Sequence, residues 1–188
     1  MYFNLADLVI DIFQNACESG AALVELELLE EAPSKEGGEF RFIVRDNGKG
    51  MSREELERVT DPFVTDGVKH PHRKQGLGLP FLIQTTEQSG GGWDIRSEKG
   101  KGTTVTAWFD TGNVDMPPVG DIPGMLRTIL MFEGPEEITV RRLRQQVPGG
   151  LDYEIRKSEL VEVLGSLEDV GSLVLLGEYL HSLEYDDE

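Results

Sequence analysis

Cysteine is nearly absent: Cys17 stands alone in 188 residues. One thiol excludes an intrachain disulfide and a cysteine-rich zinc site. Basic residues are scarce as well, 18 Lys and Arg against 35 Asp and Glu, for a formal net charge of −17. That deficit argues against a protein whose affinity comes from neutralising DNA or RNA phosphates. It equally disfavours attachment to anionic lipid. No apolar run approaches the roughly 20 residues of a membrane span, and no basic stretch leads into an apolar export signal. These absences point to a cytoplasmic globular protein with neither nucleic acid nor membrane as partner.

The chain does have apolar residues, 38% of the total, spaced at helical and strand periods over a length sufficient for one sizeable core or two small ones. Leu5, Leu8, Val9, Ile12, Phe13 and Ala16 mark one side of a first helix, with Asp7, Asp11, Gln14, Asn15 and Glu18 on the other and Gly20 as its stop. Strands are expected at Ala22–Leu29 and Glu39–Arg45, joined by a turn at Ser34–Gly38. Ser52 and Glu55 form a capping box opening a short helix through Val59. A long polar loop, Asp61–Gly78, precedes a helix at Leu79–Gln88 and strands at Trp93–Ser97 and Thr103–Phe109. A linker at Thr111–Gly120 then leads to a helix at Ile122–Phe132, strands at Glu137–Arg144 and Asp152–Arg156 around a V-P-G-G turn, and helices at Ser158–Leu164 and Leu167–Leu183. Val174, Leu175, Tyr179, Leu180 and Leu183 are the expected core stripe of the last helix.

Four short segments carry chemistry. Asp11 and Asn15 lie one helical turn apart. The amide suits magnesium shared with phosphate, and the carboxylate suits orienting an attacking group; a solvated helix face is the plain alternative. Asp46-Asn47-Gly48-Lys49-Gly50 follows a strand. Its acceptor-only carboxylate can take an exocyclic amine, with Gly48 and Gly50 letting a flat ring approach, although D-N-G is also an ordinary turn. Gly76-Leu77-Gly78 opens a helix whose free N–H groups suit phosphate. It follows Lys69, His70, His72, Arg73 and Lys74, a basic cluster in an acidic chain. Gly100-Lys101-Gly102-Thr103-Thr104 links two strands, placing a threonine hydroxyl where the backbone turns.

In this order and spacing the segments resemble the ATP-binding domain shared by gyrase, the Hsp90 chaperone, histidine kinases and the MutL repair protein, the GHKL or Bergerat family. Asp11–Ala16 resembles its N box, Arg45–Met51 its first glycine box and Asp61-Pro62-Phe63 its F box. Gln75–Leu79 and Gly100–Thr104 resemble the second and third glycine boxes. The resemblance implies an α/β two-layer sandwich, with helices on one face of a mixed, mostly antiparallel sheet. It implies ATP or ADP as ligand and magnesium on Asn15. Asp46 would bond the adenine amine, Gly48 and Gly50 would line the adenine pocket, and Thr103 would support recognition of the base. Lys69, Arg73 and Lys74 would belong to a lid over the phosphates, with Gly76, Leu77 and Gly78 as its hinge and phosphate cradle.

Three departures shape the functional expectation. The position four before the asparagine is usually Glu in the hydrolysing and serine-kinase branches, and here it is Asp11. The chain starts inside the N-box helix, so the family's preceding strand and helix are expected to be missing. A partner, a second protomer or the C-terminal segment would then cover the sheet edge. No upstream helix offers a phosphoacceptor histidine; His70 and His72 fall in the lid, and His181 reads as a surface residue. The expected organisation is a nucleotide-binding domain over residues 1–112 and a small α/β extension over 113–188 to which the sequence assigns no role. The expected function is a stand-alone kinase or ATPase of bacterial signalling with Asp11 as catalytic residue, small like the anti-sigma-factor serine kinases. A nucleotide-gated binding module with a protein partner or a second copy is the alternative. Cys17 is expected to be a small buried filler.

Overall fold

The first helix, α1 (Leu5–Cys17), forms where its apolar residues share one side: Leu5, Leu8, Val9, Ile12, Phe13 and Ala16 are all buried. Asn4 caps it, its side-chain oxygen accepting the Asp7 N–H at 2.8 Å. The computed structural model describes residues 4–34, 37–60, 78–145 and 150–185. After α1 come β1 (Leu23–Ser34), β2 (Gly37–Asp46), α2 (Arg53–Thr60), α3 (Gly78–Gln88), β3 (Gly92–Glu98) and β4 (Gly102–Asp110). Then follow α4 (Ile122–Leu130), β5 (Glu137–Gln145), β6 (Leu151–Arg156), α5 (Lys157–Leu164) and α6 (Val170–Tyr185). The turn residues 35–36 and 146–149 lie outside the described residues.

The strands form one six-stranded sheet in the order β3-β4-β2-β1-β5-β6. Neighbours run antiparallel except β1 and β5, which are parallel. Alternate residues point to one face, as strand geometry requires: Val24, Leu26 and Leu28, then Phe40, Phe42 and Val44, then Val105, Ala107 and Phe109 are buried in one core with α1, α3, α4 and α6. The other face is polar, with an Arg45–Glu27 ion pair and the Arg41 guanidinium 5.6 Å from the Trp108 ring centre. The architecture is the expected α/β two-layer sandwich on a mixed, mostly antiparallel sheet. No described helix is long and apolar enough to cross a membrane.

The edge of β1 is covered by the chain itself. β5 pairs with it in parallel from Leu23–Glu137 to Glu31–Gln145, so the C-terminal segment, rather than a partner or second protomer, occupies the edge. The linker returns to the start of α1, where the Leu5 and Ala6 N–H groups donate to the carbonyls of Pro118 and Val119, both at 2.9 Å. These bonds satisfy two donors that a helix start leaves open.

A buried ion pair ties the sheet to the last helix. Arg142 on β5 and Glu184 on α6 expose 1% and 3% of their side chains and meet at 3.2 Å. Arg142 also pairs with Glu30 on β1, and the Tyr153 hydroxyl on β6 donates to Glu184 at 2.5 Å. Burial, then the bond to Glu184, raises the Tyr153 pKa and keeps it a donor.

This pair corrects the expected α6 stripe. The buried positions are Ser172, Leu176, Leu180 and Glu184, with Leu183 partly buried, whereas Val174 and Leu175 are each 54% exposed and Tyr179 is 43% exposed. The helix is apolar on nearly all sides, so hydrophobicity alone does not set its rotation; the Glu184–Arg142 contact does. Removing one member of a buried pair strands a charge, so Glu184→Ala should lower stability by about 3–5 kcal/mol. Urea denaturation followed by circular dichroism measures this, and the paired change Arg142→Met with Glu184→Leu should be less damaging than Glu184→Ala.

Candidate functional site

The helix-facing row of β2 ends at Asp46. Sheet register sets Asp46 opposite Val24 on β1 and Thr103 on β4, and sets Thr103 opposite Ser97 on β3. Asp46, Thr103 and Ser97 thus form a cross-strand row at one end of the sheet. The Asp46 Oδ1 accepts the Gly48 N–H at 2.9 Å and the Ser19 hydroxyl at 3.0 Å. Burial pushes the half-buried carboxyl above its ordinary pKa, while the Gly48 N–H, the Ser19 hydroxyl and the Thr103 backbone pull the other way.

The hydroxyls beside it can be assigned by counting hydrogens. Ser97 Oγ accepts the Met51 N–H at 2.8 Å and donates to the Gly102 carbonyl at 3.1 Å. Its single hydrogen is then used, so across the 2.8 Å Ser97–Thr103 contact Thr103 is the donor. Thr103 Oγ1 is left as an acceptor beside Asp46.

Two glycines of the turn are required by contacts within the chain. A Cβ on Gly48 would lie 1.9 Å from Ser19 Oγ, and one on Gly50, whose φ is +57°, would lie 2.0 Å from the Glu98 carbonyl. The turn is therefore packed between the end of α1 and the β3–β4 turn, where the Gly100 N–H donates to the Lys49 carbonyl at 2.7 Å. The Asn47 side chain fastens the other side, accepting the Ala22 and Leu23 N–H groups at 2.9 and 3.0 Å. Sequence reasoning singled out neither Ser19 nor Ser97 nor this role of Asn47. Only Asn47, inside a D-N-G turn, carried a local signal.

A second cluster forms where α3 begins. A Cβ on Gly78 would lie 3.3 Å from Ile12 Cδ1, 3.5 Å from Asn15 Nδ2 and 3.7 Å from Asp11 Cβ. Asn15 is exposed and Asp11 half-exposed. The structure thus brings Asp11, Asn15 and Gly78 together, and separately Asp46, Gly48, Gly50 and Thr103, with α1 and Ser19 joining the groups. Lys69, Arg73, Lys74, Gly76 and Leu77 lie outside the described residues, as do the Asp61-Pro62-Phe63 motif, His70 and His72. Cys17 is buried, and burial pushes its thiol up to about 12, the state of a filler rather than a nucleophile. His181 is exposed, its ring 4.7 Å from that of Tyr185. A cavity of about 250 Å³ is lined by Leu29, Arg41 and Leu143, at the opposite end of β1 and β2 from Asp46, and none of the sequence-predicted site residues lines it.

Residues 3–113 match the model of the histidine kinase-, DNA gyrase B- and HSP90-like ATPase family. The sensor histidine kinase ZraS of Escherichia coli is 27% identical over 117 residues, covering 62% of this chain and 24% of that protein. The sensor protein SrrB of Staphylococcus aureus is 40% identical over 65 residues, covering 34% of this chain and 11% of SrrB. The chain thus spans about a quarter or less of these relatives. The solved N-terminal domain of a DNA repair protein shares the fold, with a TM-score of 0.53 at 15% identity over 92% of this chain and 59% of that one. The chain belongs to the histidine kinase-, DNA gyrase B- and HSP90-like ATPase family, whose model it matches over residues 3–113.

Proposed function

We propose that this chain binds ATP with magnesium between the end of the sheet and α1 and transfers the γ-phosphoryl group to a protein hydroxyl or to water, as a bacterial signalling kinase or ATPase of the cytoplasm. In this reading residues 1–112 hold the nucleotide and residues 113–188 extend the domain toward a protein partner or second copy. The observation that carries it is the Asp46 carboxylate, fixed by Ser19 and Gly48 and set in register with Thr103.

Asp46 takes the exocyclic amine of adenine, and Thr103, left as an acceptor, supports the same edge of the base. Asn15, exposed beside the start of α3, fits a magnesium ion held mainly by phosphate and water, since one amide oxygen suffices for such an ion. Bound there, magnesium neutralises charge on the phosphates. Gly78 leaves room at the α3 N-terminus, whose N–H groups suit phosphate; in this reading Gly76 and Leu77 belong with it to the nucleotide site, and Lys69, Arg73 and Lys74 belong to a lid over the phosphates. Asp11, one turn before Asn15, orients the attacking hydroxyl and accepts its proton.

Calorimetry with ADP tests the base assignment. Asp46→Asn should weaken binding by about tenfold or more, the worth of a hydrogen bond to a charged group; equal affinities would remove Asp46 from the adenine site. Labelled ATP tests the chemistry: Asp11→Asn should cut turnover or transfer by about 10²-fold or more, with ADP affinity little changed.

A second reading, a nucleotide-gated binding module, is favoured by the bonds from the linker carbonyls of Pro118 and Val119 to the first turn of α1. They couple the helix bearing Asn15 to the C-terminal segment. It predicts little or no turnover by the wild type and a partner affinity that differs among ATP, ADP and no nucleotide. Identical affinities would exclude gating.

A further inference from the structure

Ser19 stands just past the end of α1, four residues beyond Asn15, and belongs to none of the motif positions assigned above. It touches the Asp46–Gly50 turn in three ways. Its hydroxyl donates to Asp46 Oδ1 at 3.0 Å, and its carbonyl accepts the Lys49 N–H at 3.2 Å. Its Oγ also fills the space in which a Cβ on Gly48 would sit, 1.9 Å away.

The direction of the hydroxyl bond matters. The last torsion of an aspartate is broad and roughly two-fold, so the backbone alone does not fix the carboxylate plane. Two donors on one oxygen, the Ser19 hydroxyl and the Gly48 N–H, fix that plane and commit Oδ1. A carboxylate offers about four lone-pair sites on two oxygens, so acceptor capacity remains for an incoming donor. We infer that Ser19 is a positioning residue for base selection: its hydroxyl holds Asp46 in the orientation that accepts the 6-amino group of adenine, favouring adenine over 6-oxo purines. The inference rests on the proposed adenine role of Asp46. A 6-oxo purine presents an acceptor oxygen at that point, which a carboxylate cannot bond.

Because Ser19 lies at the end of the helix that carries Asn15, a merely structural role would disturb all nucleotides alike. A base-selecting role disturbs only those that donate to Asp46. The test is calorimetry of the full chain with ADP and with inosine diphosphate, for the wild type, Ser19→Ala, Ser19→Thr, Asp46→Asn and the Ser19→Ala/Asp46→Asn double variant. Ser19→Ala should weaken ADP binding by about fivefold to tenfold, the worth of one hydrogen bond, and leave inosine diphosphate unchanged. Ser19→Thr, which keeps the hydroxyl, should restore most of the ADP affinity. In the Asp46→Asn background Ser19→Ala should cost nothing further. Unchanged ADP binding by Ser19→Ala, or an equal loss of both nucleotides in both backgrounds, would overturn the role of Ser19. If instead the wild type does not bind ADP, or Asp46→Asn binds it as the wild type does, the adenine assignment itself fails and takes this inference with it.

Discussion

A carboxylate drawn partly out of water needs donors to stay ionised, and the site depends on how Asp46 is supplied with them. The donors come from two parts of the chain: the Ser19 hydroxyl after the first helix and the Gly48 N–H in the following turn. The two fit together, because the Ser19 hydroxyl fills the space that makes Gly48 a glycine. The carboxylate therefore fixes the end of α1 against the end of the sheet. Through α1 it also sets where Asp11 and Asn15 stand beside the start of α3.

That same helix is held at its other end by the C-terminal segment. The linker carbonyls of Pro118 and Val119 receive its first N–H groups, while β5 extends the sheet beyond β1. The Arg142–Glu184 pair, with Glu30 and Tyr153, then locks α6 onto this extension. Charges so far from water stabilise little in themselves, but a mismatched arrangement would leave them unpaired. The cluster is thus better understood as setting which rotation and register of the last elements is allowed.

Much of this was legible in the sequence, for identifiable reasons. Loose two-residue alternation marked β1, a run rich in Phe and β-branched residues marked β2, and the apolar spacing of α1 marked its buried side. The Asp46 turn, the Asp11–Asn15 pair and Thr103 stood out because their residue types are few and their spacing is local. Ser19 and Ser97 were not legible, since a serine becomes part of the site only when the sheet register and the end of α1 bring it to Asp46 or Thr103. The rotation of α6 was misread for a related reason. Its sides differ little in hydrophobicity, and Glu184 turns inward only because Arg142, forty-two residues earlier, awaits it. Nor did periodicity show that β5 would lie parallel to β1, a pairing that follows from the whole fold.

The central claim is that one nucleotide bridges Asp46 and Asn15. A crystal structure of the chain with a non-hydrolysable ATP analogue and magnesium tests it most directly. The account predicts the adenine 6-amino nitrogen within about 3.2 Å of an Asp46 oxygen and magnesium about 2.1 Å from the Asn15 amide oxygen. An analogue bound with its base away from Asp46, or with its metal held by other residues, would contradict it.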